Sequence, residues 1–246
     1  MKVKNLTMSV ITALTLLTIN INSAESGWEA ASAGNIPNTI IEGEKFADAV
    51  NYYGNGWSNK FGYSEDLAWE QDFKDPDMGG DDNNYIDSVD LALFSGHGSQ
   101  NSFYLATEMD DPHLSYNDAK WGNNYNLEWI IIDACNVLDN RDGGLINRWA
   151  TPTVFNGLHY IFGYVTTTLD VDSRGEDFVK YGMRDNLSVR DAWYHATIVS
   201  ENGTIAASLW AEGANSNTSN DHLWNHGYTS PDPTGSLTFW YSTWGT

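Results

Sequence analysis

Two residues that follow apolar segments, His97 and Cys135, have side chains that could cooperate in nucleophilic catalysis. Histidine is the commonest general base in enzymes, and a cysteine thiol becomes a strong nucleophile once it is ionised. Cys135 is the single cysteine of the 246-residue chain, which excludes intramolecular disulfides and multi-cysteine metal sites. A lone cysteine at the end of an apolar strand is most often a small buried hydrophobic residue. The reactive interpretation therefore depends on whether His97 lies beside it.

The segments that precede these residues are typical of strands buried on both faces of a sheet. Residues 89–95 and 127–132 are short, apolar and bounded by polar turns. The long connection between them favours parallel rather than hairpin pairing, and consecutive strands are neighbours about two times in three. Parallel neighbours end at the same edge of a sheet, where reactive groups collect. The sequence thus predicts that His97 and Cys135 meet at one sheet edge.

The remaining pattern indicates an α/β fold in a single domain over residues 25–246, because strands alternate with helices. Ser64 is a candidate N-cap of a short helix, and Ser188 with Asp191 resembles a capping box. The other expected segments are strands at 158–165, 204–210 and 237–244, helices at 175–183 and from 188 onward, an irregular lead-in over 27–38, and a polar surface loop over 215–233.

Two short motifs carry a resemblance to a known family. Phe94-Ser-Gly-His-Gly98 and Ile131-Ile-Asp-Ala-Cys135 resemble the catalytic motifs of the caspase-like cysteine peptidases, the group that contains caspases, metacaspases, legumain, clostripain and gingipains. The histidine precedes the cysteine, as it does in that group. The resemblance implies a caspase-like three-layer sandwich, with a mostly parallel central sheet flanked by helices. It also implies hydrolysis of peptide bonds without a required cofactor.

The same motifs suggest a role for each matching residue. The resemblance makes His97 the acid or base, Cys135 the nucleophile, and Asp133 part of the specificity pocket. It also places the segment Val165-Thr-Thr-Thr168, after the third strand, where the family shapes its substrate pocket, with Thr166 and Thr167 as the candidate substrate-binding residues. The backbone N–H groups of Gly98 and Cys135 are candidate oxyanion donors, since acyl transfer develops charge on the substrate oxygen. Ser95 is a candidate hydrogen-bond donor beside the pair.

The excess of acidic over basic residues limits the classes of molecule that the protein can bind. The chain has 33 Asp and Glu residues against 12 Lys and Arg, a formal net charge of −21. Such a surface repels phosphate backbones and anionic lipid heads, so nucleic acid is excluded as a partner and a peptide or protein substrate is expected. The acidity, together with Asp133, favours a basic side chain before the cleaved bond.

Clusters of acidic residues in the predicted loops are candidate metal-binding sites. The carboxylates of Asp170, Asp172, Glu176 and Asp177 are candidate ligands of a structural calcium ion, although Arg174 breaks the EF-hand pattern. A solvated acidic loop is the simpler interpretation, and it applies equally to the cluster of Asp81, Asp82 and Asn83. His222 and His226 are spaced like a helical metal pair but lie in a loop-like segment without a third ligand.

The N-terminus resembles a secretory signal peptide over residues 1–24. Lys2 and Lys4 precede a short apolar run over 10–21, followed by small residues, with cleavage expected after Ala24 or Ser26. This pattern predicts a secreted or extracytoplasmic protein with no stable membrane insertion after cleavage. The alternative is an uncleaved anchor, but the run is shorter than a spanning helix needs.

Two further interpretations remain open from the sequence. One is a catalytically inactive caspase-fold module that binds extracellular glycan or protein. Eleven tryptophans make this conceivable, and four stand in Asn/Gly-rich surroundings that would expose their rings: Trp57, Trp121, Trp224 and Trp244. The other attributes the acidity to adaptation to salt, against which stands the modest 18% of charged residues.

Overall fold

The computed structural model describes residues 23–32, 36–105, 111–122 and 126–246. The expected signal peptide lies almost wholly outside these ranges. Within them, no helix is both long enough and apolar enough to cross a membrane.

Nine strands and three α-helices make up the regular structure of the described residues. The strands are β1 (Ala24–Ala31), β2 (Trp57–Ser64), β3 (Leu91–Gly98), β4 (Ser102–Tyr104), β5 (His113–Ser115), β6 (Trp129–Asp133), β7 (Tyr160–Tyr164), β8 (Ile205–Glu212) and β9 (Thr238–Gly245). The helices are α1 (Asn38–Tyr53), α2 (Arg174–Val179) and α3 (Val189–Ser200), and α2 continues into a π-helical turn at Lys180–Arg184.

The strands form one mixed sheet in the order β2-β1-β3-β6-β7-β8-β9, with the β4–β5 hairpin attached to the end of β3. The first five strands of this order are mutually parallel, and β8 and β9 are antiparallel additions. The expectation of an α/β fold with a mostly parallel sheet is confirmed.

The two faces of the sheet are covered differently. All three α-helices pack on one face, where their apolar residues join alternate strand residues such as Leu93, Ile131 and Phe162. The intervening residues, such as Phe94 and Ile132, face the β4–β5 hairpin and irregular segments between residues 68 and 158. Within the described ranges the α-helices therefore flank one face of the sheet, whereas the sequence predicted helices around it.

The apolar strands and the helix cap are where the sequence predicts them. β3, β6, β7, β8 and β9 all overlap their expected segments. Helix α3 begins after Ser188, whose hydroxyl accepts a hydrogen bond from the Asp191 N–H at 3.2 Å. The segment after Ser64 is only a 3₁₀ turn, without a side-chain cap bond.

The predicted irregular lead-in over residues 27–38 is wrong for residues 27–31, which belong to β1, and for Asn38, which begins α1. β1 lies between β2 and β3 and is polar enough to escape a search for apolar strands. Its buried Glu29 sits opposite Phe94, and a Cβ on Gly27 would overlap the Phe61 ring of β2. Glycine is therefore needed for close packing of this strand.

The segment over residues 215–233 is not simply a surface loop. Leu223 and Asp221 are fully buried, and the Asp221 carboxylate lies 2.5 Å from Nδ1 of the equally buried His159. This polar pair ties the segment to the beginning of β7 and so makes it part of the core.

Candidate active site

The register of two neighbouring strands brings His97 and Cys135 together. In the parallel pair of β3 and β6, Ser95 stands opposite Asp133. His97 and Cys135 each lie two residues farther along the chain, so they leave the sheet at the same edge. Both line one cavity of about 90 Å³, where His97 is exposed and Cys135 is half-buried. The two residues therefore lie at the same edge of the sheet, as the sequence predicts, and line the same cavity.

Gly98 approaches the turn that carries Cys135 so closely that a larger residue would not fit. A Cβ at this position would lie 2.7 Å from Ala134 Cβ, 2.9 Å from Val137 Cγ2 and 3.0 Å from the Cys135 carbonyl oxygen. The glycine thus allows the end of β3 to lie directly against the turn that carries Cys135.

Of the two predicted oxyanion donors, Cys135 lines the cavity, whereas Gly98 borders a separate depression beside Ser99 and Asn136. Ser99 N–H donates to the Ser102 carbonyl, so Gly98, paired with Phe103, occupies the alternate position whose N–H points away from β4. Across the described ranges, no hydrogen-bond acceptor is found for the Cys135 N–H.

We expect Gly98→Ala to lower the free energy of unfolding by about 1–3 kcal/mol, the usual cost of overpacking. The added methyl group would push β3 away from the Cys135 turn and thereby separate His97 from the thiol. Chemical denaturation measures the stability, and the rate of Cys135 alkylation measures the effect on the site. Gly245→Ala is the matched control, because a Cβ there meets nothing within 4 Å. Equal behaviour of the two variants would contradict the expectation.

One residue of the cavity lining is a buried arginine. Arg174, at the start of α2, is 1% exposed, and its Nε lies 2.9 Å from Asp133 Oδ2. Its Nη1 donates to the Tyr164 hydroxyl at 2.9 Å and to Thr168 Oγ1 at 2.5 Å, and its Nη2 donates to the Leu169 carbonyl. The guanidinium is thus occupied by the protein's own groups rather than offered to a ligand.

Two buried carboxyl groups share this arginine. Glu42 of α1 accepts hydrogen bonds from Ser95 Oγ at 2.6 Å and from the Gly175 N–H at 3.0 Å. Burial raises the pKa of Glu42 and raises that of Asp133 well above its usual range, while the Arg174 charge opposes both effects. The Ser95 hydroxyl therefore serves Glu42, and the carboxyl groups beneath the cavity hold protons more tightly than exposed ones would.

The segment after β7 closes the cavity beside the cysteine, although not through the expected threonines. Thr166 Oγ1 accepts a hydrogen bond from the Ile205 N–H at 2.9 Å, and Thr167 is exposed. Neither lines the cavity; Thr168 does. The Thr168 N–H points at Cys135 Sγ, with 3.4 Å between nitrogen and sulfur. The placement of Thr166 and Thr167 as pocket residues is therefore corrected by one or two positions.

The four candidate calcium ligands lie in three separate surroundings and do not converge on one point. Asp172 pairs with Lys45 at 2.7 Å, and Glu176 and Asp177 approach Lys180 at 2.8 and 3.5 Å. Asp170 instead lines the cavity and accepts a hydrogen bond from the Asn38 N–H. In the part of the chain that is described, no group of three or more His, Cys, Asp or Glu side chains is arranged to hold a metal ion.

Other candidate residues lie away from the cavity. Asp82 is fully buried, whereas its neighbour Asp81 is exposed. His222 and His226 follow a 3₁₀ turn rather than sharing a helix face.

The four tryptophans expected to be exposed are largely occupied inside the protein. Trp57 and Trp121 are buried, and their indole N–H groups donate to the Trp224 and Phe73 carbonyls. Trp224 and Trp244 are partly buried. The expectation that all four rings are exposed is wrong.

Sequence reasoning missed Glu42, Arg174 and Glu201, three charged residues on or beside the helices. Arg174 was visible only as a break in a calcium-loop pattern, and Glu42 lies in the unpredicted helix α1. Their significance depends on burial beneath the sheet edge, for which a single sequence has no direct signal.

The family model for a Domain of unknown function (DUF6345) matches residues 20–244, which is nearly the whole chain. The chain belongs to the DUF6345 family. None of the curated proteins matches it in sequence. The match begins before β1 and ends in β9, so the complete sheet and the cavity at its edge lie within the family domain.

Proposed function

We propose that this DUF6345 protein is a cysteine endopeptidase that uses a Cys135–His97 dyad. The observation that carries the proposal is the register of β3 and β6, which delivers both side chains to one cavity at the same sheet edge. The close approach of Gly98 to the Cys135 turn supports it, because glycine there serves contact rather than turn geometry. With the two motifs, this arrangement also favours a caspase-like fold.

The chemistry follows from the positions of the two side chains. His97 would accept the thiol proton, and the Cys135 thiolate would attack the scissile carbonyl carbon. The Gly98 and Cys135 N–H groups would stabilise the oxyanion as the carbonyl π bond opens. His97 would then return the proton to the leaving amine as the C–N bond breaks, which leaves a thioester. Water, deprotonated by His97, would hydrolyse the thioester and regenerate the thiol.

A basic side chain before the cleaved bond is the favoured substrate feature. The cavity is lined by the carboxyl groups of Glu42, Asp133 and Asp170, against the single cation of Arg174. Arg174 contacts Asp133, and Glu42 is bonded to Ser95 and Gly175, so Asp170 is the carboxylate that an incoming cation would meet. The whole-chain net charge of −21 acts in the same direction by attracting basic peptides. An export signal would place the activity outside the cytoplasm.

We expect the mature protein to release fluorophore from peptide substrates and Cys135→Ala to abolish the release. The panel contains substrates ending in Arg, Lys, Asn, Asp and Leu, and the measured quantity is kcat/KM for each. His97→Ala should reduce kcat/KM at least a hundredfold, in the range expected for loss of a general base. His195→Ala, on α3 away from the cavity, is the matched control. Activity that survives Cys135→Ala would exclude the dyad.

A second measurement separates a reactive site from an inert cysteine. The chain has one cysteine, so iodoacetamide reports on Cys135 without interference. A dyad predicts alkylation near pH 7 that is faster than that of a free thiol. Alkylation no faster than a free thiol, together with no cleavage of any peptide, would instead favour the inactive binding module.

A further inference from the structure

We infer that the Thr168 backbone N–H is a hydrogen-bond donor to the Cys135 thiolate, and that Glu201 and Arg174 are positioning residues which hold it there. The inference rests on the proposed nucleophilic role of Cys135. It assigns part of the activation of the sulfur to a segment outside the two recognised motifs.

The geometry around the sulfur supports a donor role for this amide. The Thr168 nitrogen lies 3.4 Å from Cys135 Sγ with its N–H directed at the sulfur. The thiol in turn points toward the Thr168 carbonyl, with 3.9 Å between sulfur and oxygen. On ionisation the thiol loses its proton and keeps the amide as a donor. A hydrogen bond to the charged form favours that form.

The Thr168 side chain is fixed from two sides. Its hydroxyl lies 3.1 and 3.2 Å from the carboxylate oxygens of Glu201 and donates to them, while it accepts from Arg174 Nη1 at 2.5 Å. The bonds therefore run in one direction, from guanidinium to hydroxyl to carboxylate. Charge at both ends makes such bonds stronger than neutral ones.

Glu201 is placed to organise the segment rather than to meet a ligand. It follows the last residue of α3 and is 7% exposed. Besides the Thr168 hydroxyl, its carboxylate accepts from the Leu169 N–H at 2.9 Å and from Thr204 Oγ1 at 2.7 Å. It thus ties the end of α3 and the start of β8 to the two residues beside the sulfur.

The backbone on the other side of the cysteine is held as well. The Asn136 N–H donates to the Thr166 carbonyl at 3.0 Å, and the Leu138 N–H donates to the Tyr164 carbonyl at 3.0 Å. Backbone hydrogen bonds therefore join the turn after β6 to β7 and the segment that follows it, and the Thr168 N–H is directed at the sulfur.

The test is the pH dependence of iodoacetamide alkylation at Cys135 in the full-length mature protein. Thr168→Pro removes the N–H and should slow alkylation at pH 7 about tenfold, with the half-maximal rate shifted to higher pH. Thr168→Val keeps the N–H but loses the anchoring hydroxyl, and should slow alkylation about threefold. Thr168→Ser keeps both and should restore the original rate. Thr243→Val, on the exposed edge strand β9, is the matched control.

Each outcome decides the inference. An unchanged alkylation profile in a folded Thr168→Pro variant would overturn it. Should that variant fail to fold, the Val and Ser pair decides: equal rates for both would overturn the positioning role, and a Ser-restored rate would support it. Peptide hydrolysis is measured separately. Wild-type protein whose alkylation depends on Thr168 but which cleaves no peptide would refute the peptidase and leave the amide contact standing.

Discussion

Replacing Arg174 with methionine is expected to lower the free energy of unfolding by about 3–5 kcal/mol, the usual cost of removing one partner of a buried ion pair. Methionine fills a similar volume but leaves Asp133, Glu42 and Glu201 without their shared cation. Asp133 and Glu42, whose pKa values burial already raises, must then take up protons to remain buried. The loss of stability should therefore be larger at pH 8 than at pH 5, where protonation is easier.

Urea denaturation at the two pH values measures this effect. Arg184→Met is the matched control, because the Arg184 guanidinium pairs with Asp185 at the surface and its removal should change the midpoint little. A loss of stability in Arg174→Met that is equally small at both pH values would show that Arg174 does not neutralise the carboxyl groups beneath the cavity.

The thermal unfolding midpoint of the wild-type protein is expected to fall by roughly 10 °C between pH 5 and pH 8. Burial raises the pKa of Asp87 from 3.8 to about 7 and that of Glu70 from 4.5 to about 7. Burial also raises the pKa of Asp82 from 3.8 to about 9, and the Asp87 charge adds to the shift. The folded protein therefore retains protons that the unfolded chain has released.

The sign follows from proton linkage. A carboxyl group with a raised pKa in the folded state contributes its full stability below its unfolded pKa and loses it as the pH rises through the folded value. The window runs from about pH 4 to about pH 9. The Asp87 shift alone corresponds to about 4 kcal/mol, and 1 kcal/mol moves the midpoint of a domain this size by about 2–4 °C.

Differential scanning calorimetry across this pH range tests the expectation. Asp82→Asn should raise the midpoint at pH 8 and flatten its pH dependence, because both carboxylate oxygens of Asp82 are buried without a hydrogen-bond partner among the described residues. Asp66→Asn, at an exposed position, should leave the slope unchanged. A midpoint that rises from pH 5 to pH 8 would contradict the assignment.

The central part of the fold was accessible from the sequence because its strands are buried on both faces. Segments such as Trp129–Asp133 consist almost entirely of large apolar residues, and their polar ends locate His97 and Cys135. Their parallel orientation then follows from the length of the connection. The positions of His97 and Cys135 could be predicted for the same reason, since each residue closely follows a strong strand signal.

The parts that escaped prediction lack such a signal. β1 contains the buried Glu29, and α1 contains the buried Glu42, each of which reads as a solvent-exposed residue. Their burial is tolerated only because partners come from distant segments: Ser95 and Gly175 donate to Glu42, and Asp72 lies beside Glu29. A single sequence shows neither the distant hydrogen-bond partners of these two glutamates nor that burial raises their pKa values. Thr168 lies in the predicted pocket segment, but its contact with the Cys135 sulfur escaped prediction because the contact runs through the backbone.

The unequal covering of the sheet has a consequence for how the molecule would loosen in alkaline solution. Glu29 and the acids from Asp72 to Asp87 lie on the side packed by turns and the hairpin, whereas the side packed by helices carries Arg174 and its partners. Release of protons would weaken the first side while the second keeps its cation. Amide hydrogen exchange at pH 8 should accelerate first in the backbone around Phe73 and Ile86, well before it does so in α2 and α3.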